Sequence, residues 1–402
     1  MPRSTTATPP PVWLLVAATM TGPLALNIFV PSMPGLPEAF DTVPATVQLT
    51  LSLYLVGVAF GQLVYGPLSD RFGRRPVLLA GLTVFVVASL ACTVAPSIGA
   101  LIAGRVAQAL GGCAGMVIAR AIVRDAWNRE DATAVLAVVI AGMAVAPMVG
   151  PAVGGFVDVW IGWRANFALL VAFGLVVWIA GVMALPETNG HRTPIPGPLA
   201  LWHAYRSLLA KPLFLGHALV AGFSTAAFFA FLAGAPYAMV ERMGRPPSEY
   251  GLYFVLLSLG YMGGNMAVSR VASRFSAEAL AFAGILCGLV GPAVILAFLA
   301  FGIMTPSVLF LPTVLLCFGN GLLMPASMTA AVSVDLRLAG TASGLLGFMQ
   351  MGLGAVASTA VAAIHAGEPL VMVTGMMLMN ILAVGALVLA RRGRAQSATS
   401  PS

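Results

Sequence analysis

The stretch from Ala279 to Val334, ALAFAGILCGLVGPAVILAFLAFGIMTPSVLFLPTVLLCFGNGLLMPASMTAAVSV, contains no charged residue. Turn residues cluster between Gly302 and Pro306 and divide the stretch into two apolar segments. A helix that crosses a membrane needs about 20 mostly apolar residues. Each segment is long enough, so the stretch predicts two consecutive transmembrane helices.

The composition of the whole chain extends this interpretation. Of the 402 residues, 59% are hydrophobic and only 8% are Asp, Glu, Lys or Arg, whereas about 25% of a soluble globular domain is charged. So few charges cannot cover the surface of soluble domains. The apolar runs are continuous and do not alternate in polarity, which excludes a transmembrane barrel. We therefore expect an all-α integral membrane protein.

The basic residues indicate how the chain crosses the membrane. Sixteen of the 20 Lys and Arg residues fall in every second connection or at the termini, three fall in the other loops, and Arg105 lies inside a span. Because basic loops stay in the cytoplasm, we predict a multi-pass protein of the cell inner membrane with both termini cytoplasmic. The twelve predicted spans are residues 12–32, 48–68, 77–95, 97–119, 133–156, 166–185, 213–236, 250–269, 279–300, 305–330, 339–363 and 369–390.

A long polar connection divides the spans into six and six, and weak similarities recur between the two parts. We therefore expect two pseudo-symmetric six-helix bundles, the duplicated architecture of many secondary transporters. Residues 200–210 are predicted to form a short amphipathic helix at the membrane surface. The predicted units are an N-terminal bundle (1–185), a cytoplasmic linker (186–211), a C-terminal bundle (212–394) and a flexible tail (395–402).

The strongest local motif lies between spans two and three and reads GPLSDRFGRR. Its two glycines suit a close helix approach and a tight turn. The carboxylate of Asp70 ends a helix, where it opposes the helix dipole unless a cation compensates it. The arginines supply such cations, so we predict an acid–base latch that holds one of two conformations. Its residues are Gly66, Asp70, Arg71, Gly73, Arg74 and Arg75.

Two further motifs lie inside spans. Span four contains LIAGRVAQALGG, which places Arg105 at bilayer depth with Gln108 one helical turn away. Span five contains GMAVAPMVGPAVGG, whose small residues and prolines suit close packing and a kink. The span-five residues concerned are Pro147, Gly150, Pro151, Gly154 and Gly155.

These motifs resemble those of the major facilitator superfamily, whose signature loop reads Gly-x-x-x-Asp-Arg-x-Gly-Arg-(Arg/Lys). The span-four motif is similar to that family's intramembrane arginine motif, and the span-five motif to that of the drug–proton antiporters. The segments NIFVPSMP (27–34) and AGTASGLLGFMQ (339–350) are similar to the bicyclomycin and chloramphenicol resistance branch. The resemblance covers about residues 12 to 390 and implies proton-driven efflux of small amphipathic drugs.

The chain departs from that branch at Asn27, where the resemblance implies an Asp. None of the 13 acidic residues lies in the middle of a predicted span. Proton coupling needs a group that titrates, usually a buried Asp, Glu or His, and Asn cannot. The remaining alternatives are an uncoupled facilitator, or coupling through Glu38 or His217.

Polar residues inside spans are the candidates for the substrate cavity, because each must find a partner or water. We predict that Arg105 faces this cavity and favours neutral or anionic substrates, since no intramembrane acid accompanies it. Gln108, Asn27 or backbone carbonyls freed at a kink are its possible partners. The other candidates are Tyr54, Gln62, Tyr237, Asn265, Asn320 and Gln350.

Other function classes lack their sequence signals. The chain contains no zinc-protease, nucleophile-elbow or phosphate-loop motif, and its four cysteines show no metal-like spacing. We expect no enzyme activity, cofactor, metal or nucleic-acid partner. The expected protein is a monomeric secondary active multidrug exporter whose partners are an amphipathic drug, protons and the lipid bilayer. A membrane sensor that binds without transporting is the alternative from another class.

Overall fold

The computed structural model describes residues 9–190, 194, 197–365 and 367–399, which form helices and connections without a strand in these ranges. All twelve predicted spans are confirmed as long apolar helices. They are α1 (Val12–Ile28), α2 (Pro44–Phe72), α3 (Arg74–Thr93), α4 (Ile98–Ala126), α5 (Arg129–Trp160), α6 (Trp163–Ala184), α7 (Pro212–Tyr237), α8 (Pro247–Val271), α9 (Ala277–Ala300), α10 (Pro306–Val332), α11 (Ala339–His365) and α12 (Pro369–Thr399).

The first predicted span is found at its predicted position, but it is not one continuous α-helix. The α-helix ends at Ile28, and the chain continues as a 3-10 helix, Val30–Gly35, and a short helix, Leu36–Ala39. Pro31 and Pro34 explain the change, because proline cannot donate the hydrogen bond that continues an α-helix. Most other helices extend beyond the predicted ends, since polar residues outside the bilayer core keep helical geometry.

The connection between the halves contains the predicted surface helix, which spans Pro198–Leu209 and is called the linker helix below. Trp202 is exposed on it and Leu208 is buried. After it, the Nζ atom of Lys211 lies 3.0 Å from a carboxylate oxygen of Asp335. This hydrogen bond holds the pKa of Asp335 below its usual value, so the ion pair stays charged at neutral pH. Residues 191–193 and 195–196 of the predicted linker lie outside the described residues.

We call the end of the molecule that carries the α2–α3 and α4–α5 connections the basic end, and the other the opposite end. At the opposite end one apolar core crosses both halves and joins Phe29 and Met33 to Phe231 and Phe310. Towards the basic end the buried clusters are separate: one belongs to α1–α6, and others belong to α7–α12 and the linker helix. The two halves are therefore packed at the opposite end and divided at the basic end.

Two helix pairs also join the halves, in addition to the apolar core at the opposite end. Between α2 and α11, the hydroxyls of Ser52 and Ser358 lie 3.1 Å apart, and the rings of Phe60 and Phe348 make an edge contact. Between α5 and α8, the backbones approach so closely that a Cβ on Gly155 would lie 2.4 Å from the carbonyl oxygen of Pro247. Small residues in both pairs permit this approach.

The last helix extends past the predicted end of its span. Helix α12 continues to Thr399, residues 400–402 lie outside the described ranges, and the flexible tail 395–402 stays a prediction. The helix is anchored just before this point, because Arg394 binds Glu278 of α9 and Gly393 packs on the backbone of Leu213. The predicted boundaries of the linker and the two bundles stay predictions.

Candidate functional site

Arg105 lies at the centre of the first half and is enclosed by three aromatic rings. One ring belongs to the residue that ends α1, one to α2 and one to α6. Its guanidinium carbon is 4.2 Å from the ring centre of Tyr54, 5.0 Å from that of Phe29 and 5.9 Å from that of Phe167. We call this arrangement the aromatic box. Each ring face attracts the cation, so the box offsets part of the cost of a charge at this depth.

Backbone and amide oxygens hold the same side chain. One Arg105 nitrogen, Nη1, donates to the carbonyl of Ala25 at 2.8 Å and to Oε1 of Gln108 at 2.6 Å, while Nε donates to the carbonyl of Thr50 at 3.4 Å. Gln108 in turn donates to the hydroxyl of Ser89 at 2.7 Å. Arg105 therefore ties α4 to α1 and α2 directly, and to α3 through Gln108.

The expectation that Arg105 faces the cavity is wrong for this conformation. Its side chain is 0% exposed, because α4 packs too closely to leave a channel. A Cβ on Gly111 would lie 2.4 Å from the backbone nitrogen of Phe85, and one on Gly112 would lie 2.9 Å from Gly22. Tyr54 is equally buried and donates from its hydroxyl to the carbonyl of Gly22 at 2.8 Å. Among the described residues no carboxylate forms an ion pair with Arg105.

Asn27 precedes Phe29 of the aromatic box by two residues, and it is not one of the hydrogen-bond acceptors of Arg105. Its amide nitrogen donates to the carbonyl of Pro23 at 2.7 Å, and its buried Oδ1 has no hydrogen-bond partner among the described residues. The acceptor is one helical turn earlier in the chain, so the amide nitrogen of Asn27 is satisfied within its own helix.

The span-five motif packs α5 against two helices. A Cβ on Gly150 would lie 3.1 Å from Cβ of Asn27, and one on Gly154 would lie 1.8 Å from the carbonyl oxygen of Ile28. On the other side, Gly155 meets Pro247, and the carbonyl of Pro151 would lie 2.3 Å from a Cβ on Gly251 of α8. These three glycines of α5 therefore lie at close contacts of α5 with α1 and α8. Pro147 and Pro151 lie inside one continuous helix.

The predicted latch centres on Arg74 at the basic end. Its Nε donates to Asp125 of α4 at 2.8 Å, its Nη1 donates to the hydroxyl of Ser69 at 2.8 Å, and it pairs with Asp70. Arg74 is buried. These partners all belong to the first half, so a role in holding the two halves together stays a prediction.

A carboxylate that the sequence did not indicate completes the latch. Glu187, just after α6, accepts hydrogen bonds from the backbone nitrogens of Arg74 at 2.9 Å and Arg75 at 3.3 Å. It thereby caps the N-terminus of α3 and complements the helix dipole. Asn189 donates to the last carbonyls of α2, those of Ser69 at 3.3 Å and Asp70 at 2.9 Å. We call residues 187–189 the capping segment.

Gly73 is required where the capping segment meets the α2–α3 turn. Its φ of 105° favours glycine, and a Cβ there would lie 2.3 Å from the carboxylate of Glu187. Asp125 and Glu187 were missed because they are distant in sequence. Their common signal is that each is an acid at the basic end of a span.

The other latch residues behave differently. Gly66 was expected to allow close helix approach, but nothing lies within 4 Å of a Cβ placed on it. That expectation is wrong here, because α2 and α11 separate towards the basic end. Arg75 donates to the carbonyl of Val182 at 2.8 Å, and Arg71 is exposed.

Replacing Glu187 by Ala should destabilise the protein by about 1 kcal/mol, the usual value of a helix N-cap. The physical reason is that the first backbone donors of α3 lose their acceptor. Thermal unfolding of the detergent-purified protein measures the effect. Glu38→Ala is the matched control, since Glu38 is an exposed acid outside the latch. Equal unfolding midpoints for the two variants would show that the cap is unimportant.

A cavity of about 530 Å³ lies at the basic end between α2, α4, α5, α11 and the linker helix. We call it the vestibule. Of the predicted cavity residues, Gln62 lines it, and Gly66, Asp70 and Arg74 of the latch form part of its wall. Its lining includes three further arginines, Arg120, Arg124 and Arg337.

The remaining cavity candidates have partners inside the second half or are buried. Asn320 bonds to Ser224 of α7, and the glycines on either side of it let α9 and α8 approach α10. Gln350 donates to the sulfur of Met324 at 3.2 Å, and Asn265 donates to the carbonyl of Tyr261 at 2.9 Å. Tyr237 is 0% exposed in the core at the opposite end, so it does not line an open cavity.

Comparison with known proteins agrees with this architecture. The family model of the Major Facilitator Superfamily matches residues 15–359. The chain belongs to the Major Facilitator Superfamily. It is therefore a transporter and not an enzyme.

The relatives also confirm the predicted branch of the superfamily. The chloramphenicol resistance protein of Pseudomonas aeruginosa is 34% identical over 71% of this chain and 67% of its own length. Multidrug resistance protein D of Escherichia coli is 30% identical over 86% of each chain. A bicyclomycin resistance protein homologue of Haemophilus influenzae is 28% identical over 86% of each chain.

Solved structures share the fold at lower identity. A bacterial homologue of the human lysosomal transporter Spinster, solved in an inward-facing and unoccupied conformation, has a TM-score of 0.74 and 18% identity, covering 97% of this chain and 98% of its own. The human organic anion transporter MFSD10 has a TM-score of 0.69 and 18% identity, covering 94% of this chain and 98% of its own.

Proposed function

We propose that this transporter is a secondary active multidrug exporter of the inner membrane, which moves small, largely apolar amphipathic compounds by alternating access. Its basic end faces the cytoplasm in this proposal, in line with the positive-inside rule. The proposal also divides the chain into bundles 1–185 and 212–394, which rock about the contacts of α2 with α11 and α5 with α8. The monomer is the functional unit in this proposal.

The observation that carries the proposal is the difference between the two ends. The vestibule opens between the halves at the basic end, while a shared apolar core closes the opposite end. An exporter needs this arrangement when it takes up a compound from the cytoplasm. The names of the relatives supply the substrate class, because three of them are drug resistance proteins.

Proton exchange is the proposed energy source, and His217 is the candidate that the buried groups favour. His217 is 0% exposed, and neither ring nitrogen has a hydrogen-bond partner among the described residues. Its Nε2 lies 3.9 Å from Glu278, which also binds Arg394. Glu38 is exposed at the opposite end, which makes it the weaker alternative.

The test uses everted membrane vesicles and radiolabelled chloramphenicol. With an acidic lumen, we expect drug accumulation several times greater than without a pH gradient, because the outward flow of protons drives drug molecules inward. Vesicles without the transporter should show no such difference. His217→Gln should abolish the response to the gradient, while His203→Gln, at an exposed histidine of the linker helix, should not.

An uncoupled facilitator is the second candidate, and Asn27 favours it. The amide occupies the place where the resemblance implies a carboxylate, and it cannot exchange a proton. Equal drug uptake with and without the pH gradient would select the facilitator. No uptake above that of vesicles without the protein, under either condition, would refute transport of this drug.

A further inference from the structure

We infer that Arg120, Arg124 and Arg337 form a binding site for the acidic group of an anionic amphiphile at the mouth of the vestibule. The inference rests on the proposed function and names a substrate class for it: carboxylates and sulfonates with an apolar body. We call the three side chains the arginine face. In this inference the arginine face favours anionic substrates over cations, the role that the sequence analysis predicted for Arg105.

Arg120 is the innermost member of the arginine face. It is half-buried in α4 and lines the vestibule. Its Nε donates to the carbonyl of Met116, in its own helix, at 2.8 Å. Among the residues whose side chains are described, no carboxylate pairs with Arg120. An unpaired guanidinium that faces a cavity offers two parallel donors to a bidentate acid.

Arg124 extends the same surface by one turn. Residues four apart share a helix face, so the two guanidinium groups of α4 repel each other and gain from an anion between them. Arg124 is exposed and has no carboxylate partner among the residues whose side chains are described. Two such cations on one wall are a better anion site than either alone.

Arg337 brings the third charge from the second half. Its Nε lies 3.6 Å from Asp335, but its side chain is 91% exposed and also lines the vestibule. Asp335 already binds Lys211 at 3.0 Å, so it neutralises Arg337 only in part. An anion held here would contact both halves of the transporter.

The acid in the vestibule wall does not cancel the arginine face. Asp70 is the one carboxylate in the described lining of the vestibule, and it pairs with Arg74. Arg74 also binds Asp125. The described lining of the vestibule therefore contains four arginines and one carboxylate, which leaves it with net positive charge.

Apolar side chains stand beside the charges. Leu63 of α2, Val117 of α4 and Ile140 of α5 line the same cavity. A volume of about 530 Å³ lies in the range of pockets that enclose drug-sized ligands. A flat aromatic body can rest on these side chains while its acidic group contacts the arginines. A lipophilic cation would meet the same apolar wall but an opposing charge.

Positive-inside topology accounts for basic residues at this end of α4 without any ligand. It does not require that Arg120, which lies one helical turn deeper in α4 than the exposed Arg124, be half-buried and line the vestibule. A cation at this depth is costly unless it meets water or an anion. Arg120 is therefore the residue that tests the inference.

The test compares two probes that differ by one acidic group. Phenylnaphthylamine is neutral, and anilinonaphthalene sulfonate is the same ring system with a sulfonate. Uptake of each into everted vesicles is quantified after filtration, with ethidium as the cationic comparison. We expect Arg120→Gln to lower the ratio of sulfonate to neutral uptake about tenfold, the loss typical of one charge-assisted contact. It should also raise relative uptake of ethidium.

Arg120→Lys and Arg270→Gln are the controls. Lysine keeps the charge but not the bidentate fork, so the ratio should fall only in part. Arg270 is an exposed arginine at the basic end outside the vestibule lining, so its replacement should leave the ratio unchanged. Neutral uptake by each variant shows that the protein is folded and active.

The outcomes separate the inference from the proposed function. If wild-type vesicles take up the neutral probe but exclude the sulfonate, or if Arg120→Gln and Arg270→Gln give the same ratio, the inference is wrong and the exporter proposal stands. If wild-type vesicles take up none of the probes and no chloramphenicol, the exporter proposal itself fails.

Discussion

Arg105→Ala should lower drug uptake at least tenfold and destabilise the protein by about 3 kcal/mol, as expected when a large buried side chain is lost and its acceptors stay unpaired. The truncation empties the aromatic box. It also leaves the carbonyl of Ala25 and the amide oxygen of Gln108 without their donor. Three helices lose their common contact, so both stability and transport should fall.

Arg105→Lys separates charge from geometry. An ammonium group keeps the charge, but it cannot stack flat on Tyr54 while also reaching three acceptors. We therefore expect lysine to restore less than half of the lost stability. Thermal unfolding in detergent and vesicle uptake of chloramphenicol measure the two effects.

The matched control is Arg164→Ala. Arg164 also lies 4.2 Å from an aromatic ring centre, that of Trp163, and donates to the carbonyl of Ala95 at 3.4 Å. It is exposed, so its loss should cost no more than about 1 kcal/mol. If Arg105→Ala and Arg164→Ala had equal stability and uptake, the aromatic box would not hold the helices together.

Gly154→Ala should be the second severe change, with a loss of about 3 kcal/mol from overpacking. The added Cβ would lie 1.8 Å from the carbonyl oxygen of Ile28 and 2.7 Å from its carbon. Backbone atoms cannot rotate away as a flexible side chain can. Helices α1 and α5 would have to separate, which should abolish uptake and lower the unfolding midpoint.

Two glycines provide a graded comparison. A Cβ on Gly150 would lie 3.1 Å from Cβ of Asn27, so Gly150→Ala should have an intermediate effect. Gly385 of α12 is exposed and has nothing within 4 Å of its Cβ position, so Gly385→Ala should be neutral. A Gly154→Ala protein as stable as Gly385→Ala would contradict the tight α1–α5 contact.

The spans were predictable from the sequence because each membrane-spanning helix must itself contain about 20 mostly apolar residues. The charge-free stretch from Ala279 to Val334 became α9 and α10, and the turn between them contains Gly302 with a φ of 72°. Each span needs only its own residues to satisfy the bilayer. No knowledge of the neighbouring helices is required.

Side-chain environments could not be predicted in the same way, because they depend on distances between remote residues. The enclosure of Arg105 depends on Phe29 and Phe167, which its own helix does not specify. The sequence identified Arg120, Arg124 and Arg337 as basic residues at one end of the spans. That they line one cavity is visible only when α4 and the start of α11 are placed together. The open space around Gly66 likewise reflects the separation of two helices.

The capping segment has a consequence for how the chain is made. The donor Arg74 and the acceptor Glu187 are 113 residues apart. The chain is translated from its N-terminus, so α2 and α3 are made before α4, α5 and α6, and Glu187 follows all of them. The hydrogen bonds from the start of α3 to Glu187 can therefore form only after the sixth helix has been synthesised.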